Sequence, residues 1–432
     1  MDRRDVLIGL GTTAALSAMP AKAAAPATRA VPKGFLWGTA ISAHQSEGNN
    51  VNSDMWLNEH VKGTLFREPS GDACDSYERY AEDIAIAASL GFNTHRFGIE
   101  WARIEPEPGV FSMAALDHYK RVLETCRKHN LKTMLTYIHF TTPRWFAARG
   151  GFEADGAADL FARFAGTAAK HFGSLVDYAT TFNEMNLPRL IPVLLPGYET
   201  RRPLIDRMLN ASAKACGSDR FSSWVFAPAD RIVPPTRDAH TKAYAAIKAE
   251  AKHPLGISLS MQDLQPVAGG EAKAKELNKA LYDDWFDLPA DFIGVQTYTR
   301  IQVGPNGPVP APKETEKTAA GYEFYPPALG NMVRYTAKTS KKPVIITESG
   351  IGTSDDTRRI AFIDATMKEV RACLDEGIDL RGYLHWSLLD NFEWTAGYAQ
   401  QFGLVAVDRK TFKRTPKPSA AHLGRIVRSS RI

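Results

Sequence analysis

Short runs of apolar and β-branched residues alternate along this chain with longer stretches whose apolar positions recur every three or four residues. One run, Val344-Ile345-Ile346-Thr347, leads straight into the carboxylate of Glu348, and Gly350 follows closely. An unbroken apolar run of this length marks a strand covered on both faces, as in a parallel sheet. A second run, Tyr178-Ala179-Thr180-Thr181-Phe182, also closes on an acid, Glu184, just after Asn183. The same reading predicts strands over residues 35–41, 94–101, 133–139, 178–184, 255–261, 291–298, 344–348 and 380–387. Helices are expected over 72–90, 114–129, 157–172, 237–252, 271–287, 329–338, 356–376 and 419–428. In the first of these, Tyr77, Tyr80, Ile84 and Ala87 keep helical spacing and Gly91 supplies a stop. Residues 187–235 carry several prolines and glycines with weak periodicity and read as a long rim loop with short helical pieces. Residues 304–312, rich in Pro and Gly, read as an exposed loop.

Strands and helices that alternate without an internal repeat or linker predict one α/β domain, a single (β/α)8 barrel over residues 26–432. Both acids then fall at the carboxyl ends of strands, where the active sites of such barrels gather. A doubly wound open sheet would carry a Gly-rich phosphate turn after its first strand. The chain has Gly38-Thr39-Ala40-Ile41-Ser42-Ala43-His44 there, which does not fit.

Composition alters this picture little. A hydrophobic fraction of 44% and a charged fraction of 23% are ordinary for a soluble globular protein. The net charge of +5 is spread over 432 residues with no dense Lys/Arg block, so no nucleic-acid partner is expected. Cys74, Cys126, Cys216 and Cys373 are far apart and form no C-x-x-C, which argues against zinc; buried or half-buried free thiols are expected. No metal and no organic cofactor is expected.

The N-terminus reads as a separate unit. Arg3-Arg4 precede an uncharged run from Val6 to Met19, and small residues around Ala23-Ala24-Ala25 offer a cleavage point. That run is short of the ~20 residues that span a bilayer. Residues 1–25 therefore read as an export signal resembling the twin-arginine kind, although Asp2 precedes the arginines and Val6-Leu7 stands where Phe-Leu is usual. An ordinary secretory signal is the alternative. The mature protein is expected to be periplasmic or secreted, with no stable membrane association. No feature of the sequence sets an oligomeric state.

Two strand-terminal glutamates suit a retaining glycosidase, in which one carboxylate attacks the sugar carbon and the other protonates the departing oxygen. Five blocks extend this reading: residues 35–48 (FLWGTAISAHQSEG), 96–104 (RFGIEWARI), 181–184 (TFNE), 346–350 (ITESG) and 386–394 (WSLLDNFEW). Gly397-Tyr398 and Phe402-Gly403-Leu404-Val405 follow the last. In this order the blocks resemble those of glycoside hydrolase family 1, the β-glucosidase family, over nearly all of the mature chain. The resemblance implies that Glu348 is the nucleophile and Glu184 the acid/base. It makes Arg96 the cation that keeps Glu348 ionised and Tyr298 a hydrogen-bond donor to it. Asn183 would hold the sugar's 2-hydroxyl. Gln45, His139, Glu393 and Trp394 would grip the remaining hydroxyls, and Trp386 would be the floor under the ring. A pyranose shows hydroxyls around its rim and C–H groups on its faces, so polar side chains suit the one and an indole the other.

The chain departs from the family pattern at three points. Met185 stands where Pro usually follows the acid/base, Ser349 where Asn follows the nucleophile, and Gln296-Thr297 where Asn-Tyr precedes Tyr298. These changes are expected near the leaving group, with Met185 and Gln296 as neighbours of that outer subsite. Family members that take 6-phosphorylated sugars replace the Glu393 region with Ser, Lys and Tyr; an acid there would repel phosphate. The expected substrate is thus a small-molecule glycoside with a terminal, unphosphorylated β-D-glucosyl group. A β-galactosidase, β-fucosidase or transglycosidase would share the site, and a sugar-binding pseudoenzyme would have lost a glutamate.

Overall fold

The computed structural model describes residues 29–195 and 197–432; the segment 1–25, read as an export signal, lies outside the described residues. Each predicted apolar run becomes a strand: β1 Leu36–Ala40, β2 Thr94–Gly98, β3 Lys132–Ile138, β4 Tyr178–Phe182, β5 Leu255–Ser260, β6 Ile293–Gln296, β7 Val344–Ser349 and β8 Leu380–Trp386. Each pairs in parallel with its neighbours, and β1 closes the ring on β8 from Leu36↔Gly382 to Ala40↔Trp386. The result is the expected (β/α)8 barrel.

Successive side chains on β7 show how the barrel is filled. Ile345 packs with Leu36, Met134, Phe292 and Leu384 in a small cluster drawn from several strands. Val344 and Ile346, on either side of it, belong to the larger cluster shared with the helices. One face of each strand plugs the barrel and the other seats the helical ring. The helices turn a matching apolar stripe inward. Met113–Lys128 buries Leu116, Tyr119, Leu123 and Cys126, and its N-cap Ser112 accepts the Ala115 N–H.

The rim between β4 and β5 differs from expectation. Residues 187–235 contain the helices Leu187–Leu194 and Tyr198–Ala215 and the start of Ala229–Glu250. Pro203, Pro234 and Pro235 lie inside the latter two. Each proline removes one ladder bond and disfavours a helix interior. Burial of Ile205, Met208 and Leu209 in one helix, and of Ile232, Val233 and Ala239 in the other, outweighs that loss. The predicted loop 304–312 begins instead in a side hairpin, in which Arg300–Gly304 pairs with Gly307–Pro308 and with Asp263–Pro266. The helix predicted over 271–287 stops at Leu281. All four cysteines are free thiols, three of them buried and Cys216 partly so. Among the described residues no helix is long and apolar enough to cross a membrane.

One buried ion pair ties the end of the chain to the first outer helix. Arg414 Nε lies 2.8 Å from Asp83 Oδ1, with side-chain exposures of 0% and 1%. Burial pushes the Asp83 carboxyl up while Arg414 pulls it down. Removing one partner leaves the other charge stranded. Asp83→Ala is therefore expected to lower stability by about 3–5 kcal/mol, and a paired Asp83→Leu/Arg414→Met variant to recover most of it, as read by urea unfolding.

Candidate active site

Strict alternation along β7 would turn Thr347 into the barrel and Glu348 out among the helices, because Ile345 faces inward. The pairing with β6 slips between them: Ile346 lies opposite Val295, but Glu348 lies opposite Gln296. β7 thus carries one extra residue, a bulge that re-aims the following side chain. Glu348 comes into phase with Gln296 and, through it, with Ser260 of β5. Its carboxylate enters the barrel mouth, where it is 3% exposed.

Glu184 reaches the same mouth by another device. It follows β4 with φ +48°, a left-handed conformation that costs a non-glycine residue about 1–3 kcal/mol. Phe140 after β3 (φ +73°) and Trp394 after β8 (φ +47°) share this conformation. All three line one cavity of about 180 Å³. That cavity is also walled by Gln45, His139, Asn183, Tyr298, Glu348, Trp386 and Glu393, so nine of the ten predicted site residues meet there. The tenth, Arg96 on β2, lies directly beneath, with no exposure.

The two acids have different surroundings. Arg96 Nη1 donates to Glu348 Oε1, and the Tyr298 hydroxyl donates to Oε2 at 2.6 Å. Burial raises the Glu348 pKa, and Arg96 and Tyr298 pull it back. Glu184 has no such direct cation. Burial and then the charge of Glu348 push it up to about 8, against a lowering hydrogen bond from Ser260. The cation and the phenol thus favour the anion on Glu348, and burial beside that charge favours the proton on Glu184. Arg96 also donates through Nη2 to Asn183 Oδ1 at 2.6 Å, and Gln296 Nε2 donates to the same oxygen at 2.8 Å. Two donors on that oxygen fix the amide orientation, so Asn183 Nδ2 donates to His139 Nε2 at 3.1 Å. Burial and Arg96 hold His139 neutral, with its proton assigned to Nδ1.

The far wall is built on the short helix Ala43–Ser46 that follows β1 and on the loop after β8. Gln45 Nε2 donates to the Phe392 carbonyl at 2.7 Å and to Glu393 Oε2 at 3.2 Å, while Gln45 Oε1 accepts from Ser42. Burial, then the charge of Glu348, lifts Glu393 to about 8, so at neutral pH it can both donate and accept. Trp394 lies parallel to His44 at 5.7 Å, and Trp386 stacks near His139 at 5.6 Å. Ala40 and Phe402 pack Trp386 in place.

Two expectations need correction. Met185 is wholly buried, and its N–H is spent on the Ser258 carbonyl, so it does not line the mouth. Gln296 points at Asn183 beneath the cavity rather than toward an outer subsite. Sequence reading also missed wall residues. Ser260 could have been found as a polar residue ending an apolar strand in the inward phase. Tyr322 comes from a loop without periodicity and gave no signal. Among the described residues no three His, Cys, Asp or Glu side chains gather as a metal set.

A mouth that holds one carboxyl as an anion and the other as an acid, above an arginine and under indole faces, is equipped to split an acetal, which makes this barrel a glycoside hydrolase. The chain belongs to glycosyl hydrolase family 1, whose model matches residues 27–216 and 289–432. It is 28% identical to a 1,4-beta-D-glucan glucohydrolase of Thermotoga neapolitana, over 92% of this chain and 98% of that protein. The figures are the same for beta-glucosidase A of Thermotoga maritima. Among solved structures, the apo structure of a beta-glucosidase 1317 superimposes with a TM-score of 0.89 at 46% identity, covering 92% of this chain and 98% of the other. A Thermotoga maritima beta-glucosidase in complex with glucoimidazole gives 0.80 at 26% identity, covering 93% and 99%.

These charges predict a bell-shaped pH profile of kcat/KM. With Glu184 acting as the acid, activity is expected to persist below about 8 and to fall as pH rises through that value. With Glu348 acting as the anion, activity is also expected to fall as pH drops through its raised value. Glu184→Gln should abolish the alkaline limb on an aryl glycoside with a good leaving group and leave the acid limb in place. An unchanged alkaline limb in that variant would show that another group sets it.

Proposed function

We propose that the protein is a retaining exo-β-glucosidase that removes terminal, non-reducing β-D-glucosyl residues by double displacement. The observation that carries this is the unlike setting of the two acids. Glu348 is held by Arg96 and Tyr298, and Glu184 faces the same cavity with no cation in direct contact among the described residues and its carboxyl pushed up to about 8. Glu348 attacks the anomeric carbon as Glu184 protonates the departing oxygen. Esterification removes the Glu348 charge and, with it, the largest cause besides burial that raises Glu184, while burial remains. Glu184 then becomes acidic enough to take a proton from the incoming water. Asn183, clamped by two donors on its oxygen, is placed for the 2-hydroxyl, where a contact strengthens at the transition state. Glucose as the sugar is supported by relatives that carry β-glucosidase names. The case against a 6-phosphorylated sugar rests on the pocket wall, which among the described residues carries no Lys or Arg to meet a phosphate beside Glu393.

The test is an aryl β-glycoside panel of glucoside, galactoside, fucoside and xyloside. The glucoside is expected to give the highest kcat/KM, and a faster galactoside or fucoside would overturn the sugar assignment. Glu184→Ala should cost about 10²–10⁴-fold on poor leaving groups. Glu348→Ala should lose activity by orders of magnitude and regain it with azide, giving a glycosyl azide of inverted configuration. A retained product would reverse the roles of the two acids.

We also propose export to the periplasm or beyond, directed by residues 1–25, on the strength of Arg3-Arg4 and the uncharged run that follows. Replacing both arginines with lysine should strand the protein in the cytoplasm on cell fractionation. Undiminished export would point to the ordinary secretory route.

A further inference from the structure

Beyond the sugar pocket the mouth widens into a cleft of about 830 Å³. The two are continuous, since Phe140, Leu187, Leu194, Tyr322 and Trp394 line both. Leu187 also begins the turn that leaves Glu184, its N–H bonded to the Glu184 carbonyl at 2.8 Å. The group attached to a sugar in the pocket must therefore lie in or along this cleft.

The walls are apolar on two neighbouring elements. The helix Leu187–Leu194 reads LPRLIPVL. Leu187, Ile191 and Leu194 follow one another at four- and three-residue steps on one face and line the cleft, while Leu190 is buried on the other. Leu204, Val225 and Phe226 line it from the next segments. Leu195 and Leu204, both cleft-lining, are 40% and 43% exposed. Apolar side chains bared together beside a polar pocket mark a binding surface rather than a folding need. Arg201, the cation among the lining residues, is itself exposed to solvent.

Resting on the glycosidase reading above, we propose that this cleft receives a bulky, apolar alcohol as the aglycone, not a second sugar. Tyr198, Thr395 and Gln400 also line the cleft, but a pyranose laid on the Leu187–Leu194 face would press hydroxyls against Leu and Ile, and each hydroxyl stripped of water without a partner is penalised. An apolar alcohol loses only water it binds poorly, and its burial is favourable in proportion to area. The cleft volume is in the range that encloses a multi-ring or long-chain ligand. Glu184 still protonates the departing oxygen, and the alcohol leaves with that proton.

A series of methyl, butyl and octyl β-D-glucosides, the last kept below its micelle concentration, tests this against cellobiose. kcat/KM is expected to rise by about threefold per added methylene over the first several carbons and to exceed that for cellobiose by about 100-fold at octyl. Ile191→Asn, and separately Leu204→Gln at an exposed position, should each cut the octyl advantage by about tenfold and leave methyl glucoside within about twofold. A flat alkyl series, or cellobiose as the better substrate, overturns the proposal and makes the cleft a sugar subsite. Calorimetric binding to Glu348→Gln separates the two readings. If no glucoside is turned over by the native enzyme, the reaction assignment falls. The cleft is then judged alone: octyl glucoside binding more tightly than both methyl glucoside and cellobiose supports it, and equal affinities overturn it.

Discussion

The side chain of Arg96 has no contact with water, and a guanidinium keeps its charge at any pH a protein meets. A buried charge of that kind must be answered by an opposite one, and Glu348 is the answer. The obligation runs both ways. Without the cation, a carboxyl so deeply covered would hold its proton and lose its nucleophilic character. The same guanidinium holds Asn183, so one side chain of β2 sets the positions of groups carried by β4 and β7. The rest of the mouth is arranged around that fixed positive point.

The next consequence is the uneven fate of the acids. Glu184 and Glu393 both feel the negative charge of Glu348 and sit in comparable burial, and both are pushed to about 8. Three carboxyls can share a cavity because only one of them is asked to be an anion. Burial raises all three, and it is Arg96 and Tyr298, hydrogen-bonded to Glu348 alone of the three, that supply the acidity gap. The left-handed turns at Phe140, Glu184 and Trp394 add backbone cost at the mouth, which the surrounding core of the barrel sustains.

Much of this was legible because a parallel barrel writes itself as apolar runs that end on chemistry. Glu348, Glu184 and Trp386 stand at or just past the ends of apolar runs, and those runs mark them without coordinates, although alternation alone would turn Glu348 outward. The rim helices were obscured for a physical reason: Pro203, Pro234 and Pro235 depress helix propensity locally, while the burial that overrides them is tertiary and invisible to periodicity. The departure of Gln296 from the family pattern suggests the leaving-group side, whereas its strand phase points it at Asn183 beneath the cavity. Tyr322 arrives on a loop whose course depends on the side hairpin, so no local pattern announces it.

The slip in β7 separates two kinds of information in the chain. Which acid is present is a matter of residue identity, but which side of the wall it serves is a matter of counting. Were the same residues paired in strict alternation, with no bulge, the same glutamate would face the helical layer, chemically intact and functionally mute. The slip therefore acts as a toggle on which layer the acid serves, more severe than most changes of side chain. The bulge is a specification as strict as the identity of the acid.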